Sequence, residues 1–110
     1  MNEAAAEELS AVHQYLYFHF HCEDQGYEIL AQLFKRTSIE EMGHIEALAD
    51  RIIFLGGDVD MVSSAAVERI QDVREMLKLA AKMESDSAAQ YNKWANECSA
   101  NEDATSKKVF

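Results

Sequence analysis

Apolar residues recur at alternating steps of three and four along three long stretches, the period of a helix with one buried face. The first stretch covers about residues 3–24, with the stripe Met1, Ala5, Glu8, Val12, Tyr15, His19, Cys22, and is broken by Gln25-Gly26. The second covers about 27–55, with Leu30, Phe34, Thr37, Glu41, His44, Leu48, Ile52 and Leu55, and Gly56-Gly57 stops it. The third covers about 73–99, with Val73, Leu77, Ala80, Glu84, Ser87, Tyr91, Trp94 and Cys98. Asp72 and Glu75 read as a capping box at its start. Residues 56–72 read as a connector holding one helical turn. A further helix is expected to begin near 101–103, with about two turns before Phe110.

Connection lengths set the topology. The break at Gln25-Gly26 is so short that the first two helices must be antiparallel neighbours. The second helix is roughly 40 Å long at 1.5 Å per residue. The connector can extend over roughly 55 Å, enough to run back along the bundle and leave the third helix parallel to the second. The expected fold is all-α: a four-helix bundle with a long crossover between the second and third helices, cut short after three.

Three carboxylates interrupt the apolar stripes. Glu8 lies about 24 Å from the end of its helix, Glu41 about 20 Å from the start of the second, and Glu84 about 17 Å from the start of the third. All three fall at mid-bundle on inward faces. Burying such charges costs several kcal/mol each unless a cation sits among them. His44 follows Glu41 by three residues and projects from the same face. Carboxylate oxygen and imidazole nitrogen suit iron, manganese or zinc. Two divalent ions carry four positive charges against three glutamates, which points to a dinuclear centre completed by one more acid. A Glu-x-x-His pair alone is common by chance; three acids at matched depth with a histidine are what make the metal reading the stronger one.

Composition narrows the class. The chain has 110 residues, no proline, four glycines and 48% apolar residues, which suits one helical domain over residues 1–110. Its net charge of −10 argues against a nucleic-acid partner bound through a basic surface, and no apolar stretch is long enough to span a membrane. The acidic N-terminus lacks the features of a secretory signal, so the cytoplasm is the expected location. Cys22 and Cys98 are expected as reduced thiols more than about 25 Å apart, too far for a disulfide. His13, His19 and His21 are read as surface or interface residues, and Tyr91 and Trp94 as packing.

The segments Glu7–Tyr15, Ser38–Gly57 and Val73–Asp86 resemble the first three helices of bacterioferritin, a likeness that covers nearly the whole chain. The resemblance implies a di-iron centre with Glu8 and Glu84 as terminal ligands, Glu41 as bridging carboxylate and His44 on the Glu8 iron. It implies a ferroxidase that oxidises Fe2+ with O2 or H2O2 and stores the mineral in a homo-oligomeric shell of 24 subunits. Tyr15 resembles a tyrosine beside that centre; the alternative is a core tyrosine. Met42 resembles the methionine that ligates haem b between two subunits; the alternative is an ordinary interface methionine. Three departures stand out. Most of the fourth helix, with its second Glu-x-x-His, is missing, so an incomplete centre or one completed by another chain is expected. Arg36 stands where some members carry a histidine, although Glu40 matches its acidic companion. About one or two turns are missing at the start of the first helix. A rubrerythrin-like peroxide reductase, a mini-ferritin and a non-enzymatic structural bundle are the competing readings. The first usually needs a Cys-x-x-Cys module that is absent from this sequence.

Overall fold

The computed structural model describes residues 1–100, with side chains through residue 96. Three α-helices follow one another, α1 (Asn2–Asp24), α2 (Glu28–Phe54) and α3 (Val73–Ala100), and there is no strand among the described residues. The expected helix near 101–103 and the Cys98 side chain lie outside the described residues.

The turn between α1 and α2 is as tight as its sequence requires. Gly26 takes φ +87°, a conformation that costs a residue with a Cβ. The N–H of Tyr27 then returns to the Cys22 carbonyl at 2.8 Å. Contacts climb α2 as they descend α1: His19 against Ala31, Ser38 against Val12, His44 against Glu8. The two helices are therefore an antiparallel hairpin. Its core is Tyr15, Phe18, Cys22, Ala31 and Phe34, joined by Met76 of α3.

Met76 meets Cys22, with the sulfurs 3.5 Å apart, and Glu84 meets Tyr15. The direction of α3 is thus opposite to α1 and parallel to α2, as the connector length implies. Among the described residues the backbone of α3 lies closer to α1 than to α2. Cys22 is a free, buried thiol, and burial pushes its pKa up, so it stays protonated.

The connector contains no helical turn, contrary to the sequence reading. It runs extended along α1 because side chains of α1 take over its backbone hydrogen bonds. Asn2 donates to Asp58 O and accepts from Asp60 N–H; Ser10 accepts from Ala65 N–H. The Gln14 amide grips both backbone groups of Glu68, at 3.0 and 2.8 Å. A helical turn would have to give these bonds up.

Two further expectations need correction. His19 is buried, not at the surface: its ring N–H donates to the Ala31 carbonyl at 2.6 Å and its other nitrogen faces Glu23 at 3.5 Å. On α3, Leu77 is 44% exposed while neighbouring Met76 is fully buried. The inward face of α3 is the one that carries Met76 onto the hairpin core, so the neighbouring Leu77 is left partly in solvent. At the start of α3, Asp72 caps the Glu75 N–H at 3.1 Å, but the Glu75 carboxylate turns to Lys78 at 3.2 Å.

Candidate metal centre

The helical period carries Glu8 to the inner face of α1 and Glu41 and His44 to the facing side of α2. One ligand atom from each of the three lies within 4.8 Å of the others. His44 Nδ1 sits between the two acids, 3.3 Å from Glu41 Oε2 and 3.6 Å from Glu8 Oε2. Glu8 is only 3% exposed, and its Oε2 has no hydrogen-bond partner. A buried carboxylate oxygen left without a donor is costly, and this one points at a position where a cation would satisfy it.

Electrostatics agree. Burial raises the Glu8 pKa to about 7; His44 opposes the rise, and Glu84 and Glu7 add to it. Glu41 is also raised, again chiefly by burial, with Glu84 contributing and His44 opposing. The acids repel one another and lack enough positive charge nearby. Hard oxygen ligands with one imidazole are the donor set that Fe2+, Mn2+ and Zn2+ accept.

Glu84 stands beside this trio rather than inside its tightest group. Its Oε1 accepts the Tyr15 hydroxyl at 2.6 Å. Tyr15 is buried, and burial together with Glu84 pushes its pKa up, so the phenol holds its proton and the carboxylate is fixed by a donor. Glu84 itself is exposed. Met42 is exposed on α2, a turn of about 100° away from Glu41. Glu40 and Arg36 are also exposed. Tyr91 and Trp94 pack on each other with ring centres 5.6 Å apart.

The sequence reading did not single out the clamps of the crossover, Asn2, Ser10 and Gln14. Their spacing along one side of α1 was the available signal. It also missed a groove of about 380 Å³ between α1, the crossover and α3, whose walls include Glu7, Glu68 and Asp86.

The Ferritin-like domain family matches residues 1–110. The chain belongs to the ferritin family. Within it, the bacterioferritin of Brucella melitensis is 36% identical over the whole chain, which covers 68% of that protein. Two solved bacterioferritin structures share the fold. That from Rhodobacter capsulatus, with a metal-free dinuclear site and a haem iron, superposes with a TM-score of 0.93 at 30% identity. That from Desulfovibrio desulfuricans, with its di-iron site in different catalytic states, gives 0.96 at 31% identity. Each likeness covers 98% of this chain, but 68% and 63% of the respective relative. The chain thus spans roughly two thirds of the length of the proteins it matches. Among the described residues no helix is long and apolar enough to cross a membrane.

Proposed function

We propose that this chain binds Fe2+ at Glu8, Glu41, His44 and Glu84 and oxidises it, as part of a cytoplasmic iron-storage assembly of identical subunits. The observation that carries this reading is the unpartnered, buried Glu8 Oε2 beside Glu41 and His44. Glu8 and Glu84 would hold one side each, Glu41 would lie between two ions, and His44 would supply the imidazole. Bound Fe2+ supplies the electrons, one per ion, to O2 or H2O2. The chain's part is to gather negative charge where Fe3+, the more highly charged product, is favoured over Fe2+. Tyr15 keeps Glu84 oriented through its 2.6 Å hydrogen bond.

Anaerobic titration should show saturable Fe2+ binding, and admitting O2 should then consume oxygen in proportion to the iron bound. No saturable binding would leave the structural-bundle reading in place. The described residues supply three carboxylates and one imidazole, so occupancy beyond one ion per chain would indicate ligands from further along the sequence or from another copy.

Met42 would offer its thioether to a haem held between two copies, a soft axial ligand on an exposed helix face. Protein reconstituted with haem should show a thioether-ligated absorbance spectrum that Met42→Leu abolishes. An unchanged spectrum in the variant would remove Met42 from this role.

A further inference from the structure

Two adjacent hydroxyl residues of α2 are satisfied in different ways. Thr37 donates to the Leu33 carbonyl of its own helix at 2.9 Å, the usual outcome for a helical hydroxyl. Ser38 instead crosses to α1 and donates to the Val12 carbonyl at 3.2 Å. It is fully buried there.

The position of this bond gives it a use. Val12 follows Glu8 by one helical turn and Ser38 precedes Glu41 by one, so the bond lies within about 6 Å of both acids along the helix axes. Two helices approach as closely as the side chains at their contact allow. At Ser38 that side chain is one methylene and a hydroxyl, and a bulkier one in a fully buried position would force the helices apart. Small size lets α1 and α2 come close, and the hydroxyl holds them there. One turn away, ligand atoms of Glu8, Glu41 and His44 lie within 4.8 Å of one another. A second bond between the helices, from the His19 ring to the Ala31 carbonyl, lies about 16 Å from Glu8 on the side of the Gly26 turn. It ties the hairpin together at a distance from the acids.

We propose that Ser38 is a positioning residue that sets the separation of α1 and α2 at the metal centre, and with it the size of divalent ion the centre prefers. The inference rests on the metal reading above. Ser38 does not touch the ion. Ligands held at a fixed separation accept an ion of matching radius and penalise a larger one, which is how geometry gives selectivity where raw affinity does not.

Equilibrium titration with Co2+, and with the larger Cd2+ in competition, tests this without redox chemistry. Ser38→Ala keeps the space and removes the donor. It should weaken Co2+ binding about 3- to 10-fold and alter the intensity of the Co2+ visible absorption, which reports coordination number. Ser38→Val forces the helices apart. It should weaken Co2+ about tenfold or more and Cd2+ much less, so that the ratio of the two affinities falls about fivefold. Should Ser38→Val fail to fold, Ser38→Ala carries the test, because alanine favours the helix and adds no bulk. Thr37→Val and His19→Gln remove hydrogen bonds of the same hairpin that do not face the acids. Both should keep the affinity ratio and the Co2+ absorption of the unmodified protein, even where urea unfolding shows a loss of stability. An unchanged ratio and absorption in the folded Ser38 variants, or an equal change in the two controls, overturns the role of Ser38. Failure of the unmodified protein to bind Co2+ at all overturns the metal reading beneath it.

Discussion

Replacing Glu41 by alanine is expected to lower affinity for Fe2+ or Co2+ by about a hundredfold or more, and to remove any paired occupancy. Loss of groups that merely orient a metal ligand costs ten- to a hundredfold, so loss of the ligand itself should reach or pass the upper end. In the proposed centre Glu41 would be the shared ligand: its Oε2 lies 3.3 Å from His44, and a ligand atom of Glu8 is within 4.8 Å. Glu40→Ala is the matched control. Glu40 is exposed and turned about 100° away around α2, so its removal should change affinity by less than about twofold. Equilibrium titration of both variants decides the matter. Equal affinities would take Glu41 out of the centre.

The second large effect is on the stability of the metal-free protein. The folded Glu8 pKa of about 7 lies above the ordinary value of 4.5. Below pH 4.5 the carboxyl is protonated whether the chain is folded or not, and its burial carries no charge penalty. Between pH 4.5 and 7 the unfolded chain releases the proton more readily, so stability falls. Above pH 7 the full penalty is present, about 3 kcal/mol. Glu8→Gln keeps the shape and removes the charge. In chelator, the variant should gain about 2–3 kcal/mol on the unmodified protein between pH 5 and pH 8, measured by urea unfolding. A saturating divalent cation should reverse the order at pH 8 by stabilising only the protein that binds it. Parallel pH profiles for the two proteins in chelator would show that Glu8 is not held at a charge cost.

Much of this was legible in the chain. The α1 stripe from Ala5 to Cys22 is buried at each position. The direction of α3 followed from chain length alone, because few paths of the crossover's length exist. Matched depth put Glu8 opposite Glu41, and the three-residue spacing from Glu41 brought His44 to the same point. What escaped was set by partners that a periodic pattern does not encode. His19 stands on the buried α1 stripe, but its residue type reads as a surface group, and only the Ala31 carbonyl of α2 shows how its ring is satisfied inside. Leu77 and Met76 are adjacent, and only the direction from which α1 approaches decides which is covered. The crossover is extended because Asn2, Ser10 and Gln14 satisfy it, and those residues read locally as an ordinary polar helix face. The place of Glu84 beside the trio depends on the Tyr15 hydroxyl, a contact between residues far apart in sequence.

The hairpin carries Glu8, Glu41 and His44 without help from α3. Closing it needs only the tight turn at Gly26, whereas docking α3 requires the whole crossover to be laid along α1 first. Short-range closure costs less chain entropy and is faster than long-range closure. The topology therefore favours an order of folding: Glu8, Glu41 and His44 come together in the first unit to close, and a metal ion bound there would stabilise the nascent hairpin while the rest of the chain is still finding its place.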